Sequence, residues 1–236
     1  MNLRLVTALC FLLALPHSGG FAAENTADAT PQAPLFRGDE SRPADALVLF
    51  DGSDVSAWTT LDGKQPIPWK VENGYMEVRG GSIRTRAAFT DVQLHLEFWL
   101  PLMADAKGQA RANSGVYLQG SYEVQILDSY GEPPRINEAG AIYGVAPPMV
   151  NASRPPETWQ SYDILFRAPR YDADGKLVRN ARMTVFHNGV CIHDNVEIPG
   201  PTAAAMERPL SVPGPIMIQD HGNPIRFRNI WVRPLK

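Results

Sequence analysis

Between Val92 and Leu100 the chain alternates without a break. Val92, Leu94, Leu96, Phe98 and Leu100 fall on one side, and Gln93, His95, Glu97 and Trp99 on the other. A period of two is that of an extended strand with one buried face, whereas a helix built from the same residues would scatter its apolar side chains around the axis. Shorter runs of this kind, bounded by Gly, Pro, Asn or Asp, recur at Ala46 to Phe50, Trp69 to Glu72, Tyr75 to Arg79, Gly115 to Gln119, Tyr122 to Leu127 and Tyr162 to Arg167. They continue at Arg182 to His187, Val190 to Ile198, Ile216 to Gln219 and Ile225 to Arg233. With 21 prolines and 19 glycines in 236 residues, long helices have little room. The expected fold class is all-β, an antiparallel two-sheet β-sandwich.

The N-terminus has a different pattern. Arg4 supplies a positive start, Leu5 to Leu15 form a short apolar run ended by Pro16, and small residues follow at Gly19, Gly20, Ala22 and Ala23. That order is expected of a secretory signal peptide over residues 1–22, because the run is too short to span a bilayer, which takes roughly 20 residues. Residues 23–45, rich in Ala, Pro, Thr and Asp, read as a flexible tether, and 46–236 as one domain. The expectation is an exported protein, periplasmic or secreted, with no membrane anchor. Cys191 is the only cysteine outside the leader, so no disulfide within the mature chain is possible. Its apolar strand context marks it as a core residue. A net charge of -3 gives no basic footprint for nucleic acid.

Function has to lie on the polar faces of the strands. Alternation sets His95 and Glu97, Glu123 and Gln125, and Arg226 and Arg228 against the apolar faces of their own strands. If those strands were neighbours in one sheet, carboxylates, amides, guanidinium groups and aromatic rings would share a surface suited to sugars. A non-catalytic, lectin-like carbohydrate-binding module is the alternative to an enzyme on such a surface.

Several segments are more specific than the alternation. They are L-F-D-G-S-D-V-S-A-W ending at Trp58, N-S-G-V-Y-L-Q-G from Asn113, Y-E-V-Q-I-L-D-S from Tyr122 and G-A-I-Y-G-V-A-P-P from Gly140. W-Q-S-Y-D-I from Trp159, V-F-H-N-G-V from Val185 and Q-D-H-G-N-P-I-R-F-R-N-I-W-V from Gln219 follow. In this order they resemble the 3-keto-disaccharide hydrolase family, also described as the 3-keto-glucoside 1,2-lyase and glucal hydratase domain. The resemblance runs from about Leu49 to Pro234. It implies a concanavalin-like jelly roll, an exported bacterial protein, and cleavage of glycosides whose sugar carries a ketone at C3.

Such a ketone acidifies the C2 proton, so a base can remove it, the C1 substituent can leave by elimination, and water can add to the glucal. The site then needs a base near C2, an electropositive group at the C3 oxygen and an acid at the glycosidic oxygen. It needs no carboxylate nucleophile. An ordinary sandwich glycosidase places carboxylates as E-x-D-x-E along one strand; here Gln125 stands at the central position and Asp128 falls on the opposite face.

The candidate catalytic residues are His221, in the turn D-H-G-N-P, with Glu123 and Glu97. Asn113, Gln125, Gln219, Arg226, Arg228 and Tyr143 are the candidates for substrate binding. A divalent metal ion could act on the ketone as a Lewis acid, and His95 with Glu97, two apart on one strand, is a weak candidate pair for it. The expected partner is an oxidised, 3-keto sugar or disaccharide.

Overall fold

The computed structural model describes residues 42–236. The signal peptide and nearly all of the tether lie outside the described residues. The strands, in chain order, are β1 (Leu47–Phe50), β2 (Trp58–Thr60), β3 (Lys70–Glu72), β4 (Tyr75–Glu77), β5 (Ile83–Thr85), β6 (Val92–Trp99), β7 (Ser114–Leu118) and β8 (Tyr122–Ile126). They continue with β9 (Trp159–Arg167), β10 (Arg170–Tyr171), β11 (Leu177–Arg179), β12 (Ala181–His187), β13 (Val190–Ile198), β14 (Met217–Ile218) and β15 (Arg226–Pro234). The single helical element among the described residues is a 3-10 turn at Gly108–Ala110. No helix among them is long and apolar enough to cross a membrane.

The strands form two antiparallel sheets, with β10 and β11 as a separate hairpin. The larger sheet runs β13-β12-β9-β6-β15-β4-β3, and β1 shares the edge of β15 with β4. The smaller runs β2-β5-β14-β7-β8. The two inner faces supply the core: Val92, Leu94, Leu96 and Phe98 of β6 are buried with Val116 and Leu118 of β7, Val124 and Ile126 of β8, and Ile164 and Phe166 of β9. This is the apolar set that the alternation defines. The sandwich class is therefore as expected.

Two hydrogen bonds fasten the layers from inside. The Tyr162 hydroxyl donates to the Gln125 carbonyl oxygen at 2.7 Å, tying β9 to β8, and the Trp58 indole donates to the Leu49 carbonyl at 2.7 Å. Buried aromatic residues keep such partners because an unmet hydroxyl or N–H in the core costs about 1–3 kcal/mol.

The strands that carry the polar candidates are not all neighbours. β7 and β8 belong to the smaller sheet, whereas β6 and β15 pair in the larger one. The single polar surface expected from the sequence is thus two surfaces, on opposite sides of the sandwich. Alternation places a residue on a face but does not say which strand lies beside it.

Candidate functional site

The site starts from the β7–β8 hairpin. Its turn, Leu118 to Ser121, closes with a backbone bond of 3.0 Å, and both central residues, Gln119 and Gly120, have positive φ, as a tight hairpin between right-twisted strands requires. That register pairs Tyr117 with Glu123 and Gly115 with Gln125. β14 lies on the other side of β7, where Met217 faces Tyr117 and the Gln219 N–H donates to the Gly115 carbonyl at 2.9 Å. Gly115, Tyr117, Glu123, Gln125 and Gln219 consequently share the outer face of the smaller sheet.

This face is not open to solvent. The connection from β13 to β14 crosses it: Thr202 N–H donates to the Ser121 carbonyl at 2.9 Å, the Thr202 hydroxyl accepts from Glu123 N–H at 3.0 Å, and Met206 N–H donates to the Gly120 carbonyl at 2.8 Å. The Gly140 to Ala146 turn closes the outer edge, with Tyr143 N–H donating to the Glu123 carbonyl at 3.2 Å. Between these walls lies a recess of about 150 Å³ lined by Gln109, Asn113, Tyr117, Glu123, Gln125, Tyr143, Ala203, Ala204, Gln219 and His221.

Glu123 is the only carboxylate lining it and is 3% exposed. Burial pushes its pKa up to about 7, and a hydrogen bond from the Tyr117 hydroxyl offsets this only in part. No cation is paired with it among the described residues. Tyr117 is held well above the usual phenol range by burial and by the neighbouring carboxylate, so it stays a neutral hydrogen-bond donor. Its hydroxyl accepts from the Gln219 amide at 3.2 Å and lies 3.3 Å from the Ala203 carbonyl oxygen. With its nitrogen turned toward the acceptors around it, the Gln125 amide donates to Glu123 Oε1 at 3.2 Å and to the Ser114 carbonyl at 2.8 Å.

Gly115 makes room for this arrangement. A Cβ there would fall on Glu123 Oε1, 3.1 Å from the Glu123 carboxyl carbon and 3.1 Å from Tyr117 Cε2. Asn113 is fixed by donating from its amide to the Gln109 carbonyl at 2.8 Å and from its N–H to Asn223 Oδ1, also at 2.8 Å. Asn223 lies in the same turn as His221. Asp220 tightens that turn by accepting from Gly81 N–H and Gly222 N–H, each at 2.7 Å. His221 is therefore presented, exposed, at the rim by an anchored loop.

Six expected residues thus meet: His221, Glu123, Asn113, Gln125, Gln219 and Tyr143. Four do not. Glu97, Arg226, Arg228 and His95 lie on the outer face of the larger sheet, across the core from the recess. There Glu97 is taken up by Arg228 at 2.6 Å and Asn229 at 2.8 Å, and Arg226 by Glu77 at 2.8 Å. The sequence reading passed over Tyr117, whose signal was its place two residues beyond Gly115 on one face. It also passed over Gln109 and the Ala203–Ala204 wall, which carry no signal. Asp128, set apart by its face, pairs with Arg111 at 2.8 Å. Cys191 is half-buried on β13 rather than in the core, and burial and the neighbouring Asp194 raise its thiol pKa, which disfavours the thiolate.

His95 and Glu97 have another occupation. The His95 ring donates from Nδ1 to Asp163 at 2.6 Å and stacks on Trp231 at 5.2 Å, with Glu97 at 3.9 Å from Nε2. Burial works against the charged ring, but the bonds to Asp163 and Glu97 outweigh it and raise its pKa to about 9. Among the described residues no group of three or more His, Cys, Asp or Glu is arranged to hold a metal. A group whose folded pKa is raised stabilises the fold fully below its unfolded value and ceases to do so as pH rises through the folded value. His95 therefore supports the larger sheet below about pH 6.5, and the support is lost through about pH 9. Asp163→Asn should cost about 3 kcal/mol at pH 6 and flatten the decline toward pH 10. Urea unfolding at the two pH values checks this, and equal losses at both would refute it.

A family model described as a 3-keto-alpha-glucoside-1,2-lyase-like domain matches residues 45–233. A solved structure called a "putative glycosyl hydrolase", from Parabacteroides distasonis ATCC 8503, is 40% identical, covers 82% of this chain and 85% of its own, and superposes with a TM-score of 0.74. A second structure so called, from the same organism, shares the fold at 19% identity, with a TM-score of 0.60 over 81% of this chain and 94% of its own. No curated protein matches the chain. Sequence motifs, jelly-roll sandwich and family match agree, and the chain belongs to the family of 3-keto-alpha-glucoside-1,2-lyase-like domains, a carbohydrate-active family.

Proposed function

We propose that the protein cleaves the glycosidic bond of 3-keto-glucosides or 3-keto-disaccharides by elimination followed by hydration. One observation carries the reading: a single buried carboxylate, unpaired with any cation among the described residues and with its pKa near neutrality, lies in a small recess among neutral hydrogen-bond donors. That suits proton abstraction beside a ketone and does not suit double displacement, which takes two carboxylates about 5.5 Å apart.

In this reading Glu123 takes the C2 proton, and its electron pair moves into the C2–C3 bond and onto the C3 oxygen. The Gln219 amide, which gives one N–H to the Tyr117 hydroxyl and keeps the other, is the neutral donor available to that oxyanion, and the Tyr117 hydroxyl becomes a second once Glu123 carries the proton. The pair then returns to form the C1–C2 double bond as the C1–O bond breaks. His221 at the rim protonates the departing oxygen, and water adds across the glucal to give the 3-keto sugar. The recess has space for one sugar ring, leaving the remainder of the glycoside outside. The export pattern of residues 1–22 supports a periplasmic or secreted setting.

The test uses a 3-keto-glucoside deuterated at C2. Release of aglycone with loss of the deuteron to solvent is the expected result. Release with the deuteron retained, or no ketosugar or glucal with or without chelator, would overturn the reading. Because the base must be ionised, kcat/KM should rise about tenfold per pH unit up to about pH 7 and rise no further above it. A profile that is flat from pH 5 to 8 would exclude Glu123 as that base.

A further inference from the structure

His193 lies on β13, in the larger sheet, and is 1% exposed. A buried imidazole needs a hydrogen-bond partner, and this one finds it in the other layer: Nε2 meets the Gly140 carbonyl oxygen at 2.8 Å. Because the partner is a carbonyl, Nε2 is the protonated nitrogen and donates. Burial lowers the pKa of the ring by more than the Gly140 bond raises it, so the donor is a neutral imidazole at neutral pH.

Gly140 begins the turn that walls the Glu123 recess. The turn lies along β8 as a short extra strand. Gly140 N–H donates to the Gln125 carbonyl at 2.9 Å, Gln125 N–H donates to the Ala141 carbonyl at 2.9 Å, and Ile142 bridges to Val124. It reaches the recess at Tyr143, whose N–H donates to the Glu123 carbonyl. Without it β8 would be the open edge of the smaller sheet, and water would have a path along that edge to the Glu123 side chain.

The larger sheet supports this wall from behind. Gly140 has a φ of +80°, and a Cβ there would fall on Ile192 Cδ1, so the absence of a side chain is what lets the turn and β13 touch. Tyr162 of β9 gives its hydroxyl to the Gln125 carbonyl at 2.7 Å. His193 and Tyr162 thus hold neighbouring peptides of the recess wall, one in the turn and one in β8.

We propose that His193 is a positioning residue for the Glu123 site: by holding the Gly140 carbonyl it keeps the 140–146 turn closed against β8 and keeps water from the Glu123 carboxyl. Its bearing on catalysis rests on the reading of Glu123 as the base. The titratable groups that face this carboxyl are Tyr117 from β7, Tyr143 from the turn and His221 at the rim, and a change at residue 193 leaves all three in place.

In His193→Leu the carboxyl gains water, so the midpoint of the kcat/KM profile should move from about pH 7 to about pH 6, with the plateau lowered about tenfold or more. Hydrogen exchange of the Tyr143 amide should quicken at least about tenfold, with the amides of β6 unchanged. A carbon-13 titration of the Glu123 carboxyl reads the same acid shift without turnover. His193→Gln sets an amide nitrogen near the place of Nε2 and should restore all of these. His193→Asn, polar but too short to reach Gly140, should behave as the leucine variant and replaces it if leucine prevents folding. A parent that cleaves no 3-keto-glucoside would sink the lyase reading alone, since the exchange and the carboxyl titration still decide whether His193 holds the wall. Reduced thermal stability with an unmoved Glu123 titration, unchanged Tyr143 exchange, or no restoration by glutamine would each overturn the proposal.

Discussion

Replacing Glu123 by glutamine is expected to lower kcat/KM by at least about 10³-fold and, in the same molecule, to make the fold more stable at alkaline pH. The two effects have one cause. In the folded chain the carboxyl pKa is raised to about 7 by burial, so between its ordinary value near 4.5 and about 7 the fold retains a proton that the unfolded chain has released. Stability accordingly falls as pH rises across that window and is lowest above it. Glutamine fills the same space without a charge. At pH 4.5 the variant should unfold close to the parent, and at pH 8 it should gain up to about 3 kcal/mol, or several degrees in Tm. Thermal unfolding at both pH values with an activity assay checks the pair. Loss of activity with no pH-dependent gain would mean that Glu123 is not held against its own charge.

The second large effect concerns a residue that performs no chemistry. Gly115→Ala should cost about 10²-fold in kcat/KM while the protein still folds. The new methyl would occupy the position of Glu123 Oε1 and crowd Tyr117 Cε2, so the carboxyl must swing or the β7–β8 pair must part. Backbone conformation is not the obstacle, because Gly115 lies in regular strand and does not use the positive φ that only glycine adopts freely. The expected cost in stability is about 1–3 kcal/mol. The informative measurement is the pH profile. A displaced carboxyl loses its Tyr117 bond and gains water, so the profile should move toward acid while the maximal rate falls. An unchanged profile at reduced rate would instead point to lost substrate space.

How far the site could be read in advance depended on the distance over which a residue acts. Glu123 and Gln125 were placed together because residues two apart on a strand must share a face, and the same rule set Asp128 aside, where it pairs with Arg111. Asn113 and Gly115 shared a motif, and His221 stood in a marked turn. The error over Glu97, Arg226 and Arg228 was of another kind: β6 alternates as cleanly as β8, yet pairing with β9 and β15 sends it to the other sheet. Strand partners are set by the whole topology. β2 and β5, at three residues each, are too short for an alternation to register. The burial of Glu123 was invisible for a similar reason, since it comes from a loop about 80 residues away in the chain, through Thr202.

That loop and the strands beneath it answer to different constraints. Tyr117, Glu123 and Gly115 are locked by cross-strand register, so a change in any one is felt by the others. Ala203 and Ala204 line the mouth, Ala203 with its carbonyl 3.3 Å from the Tyr117 hydroxyl, and the segment that carries them is fastened at Thr202 and Met206. The molecule therefore separates what it does from what it admits. In the proposed reading, lengthening or exchanging the short stretch between those two fastenings would change which leaving groups are admitted while Tyr117 and Glu123 stay in place.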